Sequence, residues 1–422
     1  MSREIEVWGD WHELGNPTLI GVLRASEARG KEVFSFEYDT GWLEEESFRS
    51  LDPDLQLYSG PQYLDGETRP NFGLFLDSSP DRWGRLLMQR REAVVAREGA
   101  RKQLRLRELD FLLGVHDEQR LGALRFKEPA TGQSWLNDDS SMVTPPWTSL
   151  RELEQASWKL QREDASEDAQ YLQWLNLMIA PGSSLGGARP KAGVQDESGD
   201  LWIAKFPGRN DERDMGAWEM VCNDLAVEAG LSVAEARLEQ FGGEQGTYMT
   251  RRFDRVTGSN GKKRIHFASA MTLLGLNDGA DHVAGVSYLD LVELIIRQGA
   301  VPEADLEELW KRIVFSIAIH NTDDHLRNHG FLLTPEGWIL SPAYDINPDP
   351  DGRGLNLNIS ETDNSLSFDL ALEVAPYFRL DGAGASKIMK AVKDAVAGWR
   401  DVASSCGISR SEQEAMEPAF VQ

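Results

Sequence analysis

His320-Asn321-Thr322-Asp323-Asp324-His325-Leu326-Arg327-Asn328-His329-Gly330-Phe331 holds five carboxylate or imidazole side chains within its first ten residues. Upstream, Leu306, Leu309, Trp310, Ile313, Val314 and Ile317 recur at i, i+3, i+4 and i+7 spacing, which predicts a buried helix. Downstream, Gly330-Phe331-Leu332-Leu333, the turn Thr334-Pro335-Glu336-Gly337 and Trp338-Ile339-Leu340 predict a short hairpin. Beyond it, Ser341-Pro342-Ala343-Tyr344-Asp345-Ile346 supplies another carboxylate. The order is buried helix, polar loop, hairpin, acid.

Asp323 and Asn328 stand five apart, the Asp-x-x-x-x-Asn spacing of a kinase catalytic loop. In such a loop the Asp accepts the proton of the substrate hydroxyl and the Asn holds Mg²⁺, while an acid further on holds the metal against the ATP phosphates. Asp345 stands where that acid is needed. A lone loop aspartate is usually a turn residue, so the position between helix and hairpin carries the signal. A rival reading takes His320, Asp323, Asp324, His325 and His329 as ligands of a metal-dependent hydrolase, with His325 and His329 at i, i+4. No His-Glu-x-x-His signature accompanies them. His325 is then expected to brace the loop through hydrogen bonds, and His320 to cap the preceding helix.

Pro181-Gly182-Ser183-Ser184-Leu185-Gly186-Gly187-Ala188-Arg189-Pro190-Lys191 is a glycine-rich turn whose small residues would let backbone N–H groups approach phosphate. It lacks the Gly-x-x-x-x-Gly-Lys-Ser/Thr pattern of a P-loop. Lys205 sits late in the strand pattern Leu201-Trp202-Ile203-Ala204-Lys205-Phe206, where burying a lysine calls for an anionic partner. Glu219, on a helix read from about Met215 to Ala229, is a candidate partner.

The chain of 422 residues carries 44 basic and 69 acidic side chains, a net charge of −25, which argues against a dedicated nucleic-acid binder. Residues 81–109 are the local exception, with nine basic and four acidic side chains. This stretch is read as the solvated face of a helix that begins at Ser79-Pro80-Asp81, and any DNA contact would be confined to it. Two cysteines and no long apolar run point to a cytoplasmic chain with no disulfide framework and no membrane span. Glu6-Val7-Trp8, Thr18–Leu23 and Val33–Tyr38 read as strands, and residues 128–147 as a linker. Ser149-Leu150-Arg151-Glu152 reads as a capping box. From Arg255 to about 325 the sequence reads as mostly helical. The expected division is 1–127, β-rich then helical; 148–255, carrying the glycine-rich loop; and 256–422, helical. The fold class is α+β, a small strand-rich lobe followed by a larger helical lobe.

These segments, in this order, resemble the HipA-type serine/threonine kinase toxins of bacterial type II toxin–antitoxin systems. Gly21-Val22-Leu23 and Phe34–Tyr38 look like that family's N-terminal subdomain. Ser184–Lys191 matches its Ser-x-x-Gly-Ala-x-x-Lys loop, Arg252-Phe253-Asp254-Arg255 its nucleotide hinge, Asp323–Asn328 its catalytic loop and Ser341–Asp345 its magnesium motif. The resemblance implies a two-lobed kinase-like fold that uses ATP and Mg²⁺. Asp323 would be the base, Asn328 and Asp345 the Mg²⁺ ligands, and Lys205 the phosphate contact. Ser184, Gly186, Gly187, Ala188 and Lys191 would form the nucleotide loop, and main-chain groups of Arg251 and Phe253 would meet the adenine. Ser184, or its neighbour Ser183, would be the autophosphorylated serine that switches the kinase off. The implied partners are a small helix-turn-helix antitoxin (HipB-like), through which DNA is reached indirectly, and a protein substrate such as an aminoacyl-tRNA synthetase. A kinase-like corepressor without catalysis is the non-enzymatic alternative.

Overall fold

The computed structural model describes residues 2–45, 50–64, 69–129, 134–139, 144–179, 187, 189–258 and 261–421. Its packing groups the chain into two compact units rather than three consecutive segments: residues 1–209 with 254–268, and residues 210–253 with 269–422.

Strands β1 (Arg3–Gly9), β2 (Thr18–Ala28), β3 (Lys31–Tyr38), β4 (Gln62–Tyr63) and β5 (Leu124–Lys127) form one antiparallel sheet in the order β4-β3-β2-β1-β5. The alternation along these strands does the sorting: Ile5 and Val7 on β1 and Phe34 and Phe36 on β3 are buried. The same unit holds α1 (Thr40–Glu44), α2 (Gly73–Asp77), α3 (Arg82–Glu98), α4 (Glu108–Gly114), α5 (Leu150–Leu160) and α6 (Tyr171–Ile179). Phe75 of α2 joins the sheet core, 5.9 Å from Phe36 and 6.3 Å from Phe126 between ring centres. The start of α3 is set by Asp81, whose carboxylate accepts from the Gly84 N–H at 2.8 Å; Pro80 precedes the cap.

Several arginines of the 81–109 stretch are compensated within the unit. Arg85 makes a two-pronged pair with Glu108, Arg101 pairs with Glu92, and Arg107 with Glu27. The expected capping box at Ser149 does not form. A 3₁₀ turn, Trp147–Ser149, leads into α5 and leaves Ser149 helical (φ −84°, ψ −4°) with no side-chain cap. The described part of the expected linker is tied down: the Leu136 N–H donates to Phe126 O and the Asp117 N–H to Asn137 O.

The hairpin of β6 (Lys191–Gln195) and β7 (Leu201–Lys205) follows, with Lys191 directly opposite Lys205. In the second unit lie α7 (Met215–Glu228), β8 (Ala236–Glu239) and β9 (Thr247–Arg251), the last two antiparallel. The chain then returns to the first unit. Residues 255–264, expected to be helical, are instead the hairpin of β10 (Arg255–Gly258) and β11 (Gly261–Arg264). Asp254 accepts from the Gly122 N–H at 2.8 Å, and the Arg255 guanidinium donates to the carbonyls of Glu118 and Arg120 at 3.0 Å.

After β12 (Phe267–Ser269) come α8 (Ala270–Leu273), α9 (Tyr288–Gln298) and α10 (Pro302–Ala318), the helix read from the apolar stripe, whose six positions are all buried. The hairpin of β13 (Gly330–Thr334) and β14 (Gly337–Leu340) turns at Gly337, which has φ +150°; a Cβ there would sit 2.5 Å from the Gln298 carbonyl. Helices α11 (Phe368–Val374), α12 (Gly382–Ala397), α13 (Trp399–Ser405) and α14 (Arg410–Met416) complete the unit. Phe420 stacks on Trp399 at 4.3 Å, with the planes 7° apart. The fold class is α+β, with the strand-rich sheet first and the helices concentrated later. No described helix is long and apolar enough to cross a membrane.

Candidate active site

Helix α10 ends by backbone geometry. The Asn321 N–H reaches Ser316 O at 2.9 Å and the His320 N–H reaches Ile317 O at 3.4 Å, the paired bonds of a Schellman stop. His320 occupies the left-handed position of that stop, φ +49°, where glycine is the usual residue. It closes the helix, as its place in the sequence suggests, through its main chain.

The loop that follows points two adjacent carboxylates in opposite senses. Asp323 is exposed and Asp324 is 5% exposed. The Asp323 carbonyl accepts twice at 2.9 Å, from the His325 N–H and from Nδ2 of the buried Asn328. Asp324 Oδ2 accepts the Tyr288 hydroxyl at 2.6 Å, and its Oδ1 lies 3.1 Å from His329 Nε2. Burial alone would raise the Asp324 carboxyl; the charge of His329 and the Tyr288 hydrogen bond more than offset it and hold the group below the ordinary carboxylate range. His329 thus braces the loop with its side chain, and His325, at the entry of a 3₁₀ turn, Leu326–Asn328, braces it with its main chain: its N–H donates to Asp323 O at 2.9 Å and its carbonyl accepts from the Asn328 N–H at 2.8 Å.

Asp345 is stitched to this loop from both sides. The Tyr344 hydroxyl donates to Arg327 O at 2.6 Å, and the Asn347 N–H to Asn321 Oδ1 at 3.3 Å. Farther on, the Asp349 N–H meets His320 O at 3.1 Å and the Thr322 hydroxyl meets Asp349 Oδ2 at 2.9 Å. Asp345 itself has φ +58°, a left-handed conformation that Asp tolerates better than most side chains. The loop carrying Asp323 and Asn328 and the segment carrying Asp345 thus form one hydrogen-bonded patch of the second unit.

The donor set suits a hard divalent cation. Asn328 gives its amide nitrogen to the Asp323 carbonyl, so its oxygen is the atom left for a ligand, and Asp345 adds carboxylate oxygen; Mg²⁺ prefers such donors. The hydrolase alternative fares worse. Among the described residues no group of three or more His, Cys, Asp or Glu side chains is placed to hold a metal, and Asp324 and His329 are turned inward on each other.

In the first unit, Lys205 ends β7 and is half-buried. Lys191 places its ammonium 2.7 Å from Asp81 Oδ2, with both side chains 2% exposed, and 3.4 Å from the Gly187 carbonyl. The sequence reading missed this because Asp81 lies 110 positions away and looked like nothing more than a helix cap. Ser183, Ser184, Gly186 and Ala188 lie outside the described residues. In the second unit, Glu219 is buried on α7. The Arg251 N–H donates to Glu235 O at 2.8 Å, and the Phe253 ring lies 5.5 Å from that of Tyr344.

Residues 183–399 match the HipA-like C-terminal domain, a span that contains Lys205, the catalytic-loop motif and Asp345. A candidate kinase of Sinorhizobium fredii, Y4mE, is 28% identical over 147 residues, 34% of this chain and 33% of that one. A candidate kinase of Haemophilus influenzae is 27% identical over 191 residues, 40% of this chain and 54% of that one. The chain thus spans between a third and about half of these relatives' lengths. Among solved structures, the Shewanella oneidensis MR-1 toxin–antitoxin complex of HipA, HipB and operator DNA contains a chain that superposes with a TM-score of 0.65. That match has 18% identity and covers 98% of this chain and 94% of the other, so the fold is shared. With its matched domain covering half its length, the chain belongs to the family of the HipA-like C-terminal domain.

Proposed function

We propose that this chain is an ATP- and Mg²⁺-dependent protein kinase that phosphorylates a serine or threonine hydroxyl and serves as the toxin of a toxin–antitoxin pair. The observation that carries the reading is the patch formed by exposed Asp323, Asn328 clamped to its carbonyl, and Asp345 stitched alongside. Asp323 takes the proton of the substrate hydroxyl as its oxygen bonds to the γ-phosphorus; the bond from that phosphorus to the β,γ-bridging oxygen breaks and ADP leaves. Bound Mg²⁺ supplies charge neutralisation of the phosphates, and Asn328 and Asp345 would hold it. Lys205 would hold the phosphates from its strand.

The candidate-kinase names of the two relatives support phosphotransfer, and the company of HipA in its complex supports a helix-turn-helix partner that carries any DNA contact. The protein substrate belongs in the same reading, with aminoacyl-tRNA synthetases as the first class to try. So does self-inactivation at Ser184 or Ser183, where a dianionic phosphate would compete with nucleotide. The test is phosphate incorporation from ATP with mass mapping, for wild type and Asp323→Asn, with and without Mg²⁺. Equal incorporation by the two proteins, or none by either, sinks the assignment.

A further inference from the structure

Asp323 and Asp324 are neighbours in sequence with opposite surroundings, and the inward one is held from outside the loop. Tyr288, whose hydroxyl donates to Asp324 Oδ2 at 2.6 Å, is the first residue of α9 and lies 36 positions upstream. It is fully buried, and its own N–H donates to Asn358 O at 2.9 Å. His329, on the other carboxylate oxygen, is buried and accepts the Ala270 N–H on its carbonyl at 2.8 Å, which fixes it to the start of α8. The Tyr288 and His329 rings meet edge to face at 5.8 Å. The Asp324 carboxylate is therefore clamped between two helix starts. On the other side of the same stretch, the Asp323 carbonyl is pinned by the His325 N–H and Asn328 Nδ2.

The consequence is mechanical. Swinging the main chain at Asp323 would have to break the carbonyl clamp or drag a buried carboxylate off its two partners, and a buried carboxylate short of a donor is expensive.

We propose that Tyr288, Asp324 and His329 are the positioning residues of the active site, a buried network that aims Asp323 at the substrate hydroxyl; this rests on the kinase reading above. None of the three touches a reacting atom. Tyr288 and His329 lie outside the Asp-x-x-x-x-Asn spacing and carry no catalytic assignment of their own.

The test compares wild type with Tyr288→Phe, which removes one oxygen, and with His329→Gln and Asp324→Asn. Two readouts are taken on the whole chain: phosphate incorporation across ATP concentrations, normalised to nucleotide-binding stoichiometry, and amide hydrogen exchange of residues 321–329. Tyr288→Phe is expected to lower kcat by roughly ten- to a hundredfold, since small misplacements cost that much, with KM for ATP within about twofold of wild type. Exchange at residues 321–329 should quicken by about tenfold or more through local opening. A role confined to global stability would lower the folded fraction while leaving kcat per binding site intact. Unchanged exchange in Tyr288→Phe overturns the proposal, as does unchanged kcat where the wild type is active. A wild type that incorporates no phosphate defeats the kinase reading, and the exchange comparison then still decides whether the network holds the loop. Should Asp324→Asn fail to fold, Tyr288→Phe carries the comparison.

Discussion

Asp81 uses both carboxylate oxygens, one to cap α3 through the Gly84 N–H at 2.8 Å and the other to hold the Lys191 ammonium at 2.7 Å. One acid thus joins the start of a helix to the first residue of the β6–β7 hairpin, whose other strand ends at Lys205, directly opposite Lys191. Opposite residues of an antiparallel pair share a face with Cβ atoms about 5 Å apart, so Asp81 neutralises one of two lysines on the same face of the hairpin.

Asp81→Asn keeps a good capping side chain but removes the charge opposite a buried ammonium. Breaking a buried pair from one side costs about 3–5 kcal/mol, and urea unfolding should show a loss of that order. Asp81→Asn with Lys191→Met should recover most of it. A single-mutant loss below about 1 kcal/mol would show that the pair contributes little.

Asp323→Asn should cut phosphate incorporation by about a hundredfold or more, the usual worth of a general base, without moving KM for ATP more than a few-fold. Because Asp323 is exposed, thermal unfolding of the variant should track wild type. Full activity in the variant would remove Asp323 from the mechanism.

Asp345→Asn retains a side chain that tolerates the left-handed backbone, so its folding should be close to normal. The Mg²⁺ concentration for half-maximal incorporation should rise by about tenfold or more, with loss of a charged oxygen ligand. An unchanged Mg²⁺ requirement would point to other ligands.

Asp52 is 1% exposed beneath the first sheet, and burial pushes its carboxyl up to about 6, against the lowering pull of the Leu74 and Asp54 N–H groups. The folded state thus holds this proton more tightly than the unfolded chain. Its contribution to stability is complete below about pH 4 and is lost as pH rises towards 6, a total of roughly 3 kcal/mol. Asp324 has the opposite sign: its depressed carboxyl stabilises the fold above the ordinary carboxylate value and the benefit disappears only in stronger acid. Denaturant midpoints measured from pH 4 to 7 should fall with pH in wild type and flatten in Asp52→Asn. A wild type with no such slope would contradict the raised value.

Phe420 packs against the rings of Trp399 and Trp218, at 4.3 and 5.9 Å, which themselves lie 6.1 Å apart. Phe420→Ala should cost about 3–5 kcal/mol of stability and alter tryptophan fluorescence. A change under about 1 kcal/mol would mean that the site collapses around the loss.

What could be read from the sequence follows from how local each signal is. Helix α10 announces itself through six apolar positions on one face, and the hairpin after it through the Thr334–Gly337 turn. The Asp323–Asn328 spacing is likewise a property of one loop. By contrast β6, Lys-Ala-Gly-Val-Gln, has the composition of a weak strand former and is a strand because β7 pairs with it. The charged β10–β11 hairpin is fixed by Asp254 and Arg255 reaching back to residues 118–122. Ser149 has the right neighbours for a capping box, yet the preceding 3₁₀ turn sets its backbone first. The roles of Lys191 and His329 depend on partners that spacing does not reveal: Asp81 is 110 residues off, and the Asp324 carboxylate shows its inward direction only once Tyr288 is placed.

The discontinuity of the first unit bears on how the protein can be made and cut. The chain leaves that unit after residue 209, returns at 254 and leaves again after 268. During synthesis, the Asp254–Gly122 bond and the Arg255 carbonyl contacts cannot form until residues 210–253 have already been translated. A fragment ending at residue 209 would lack the β10–β11 hairpin and leave the carbonyls of Glu118 and Arg120 without their guanidinium. An expression fragment for the first unit therefore has to bridge residues 209 and 254 with a short artificial linker, and a single proteolytic nick after residue 209 would leave residues 1–209 joined to residues 254–268 only through non-covalent contacts such as the Gly122–Asp254 hydrogen bond.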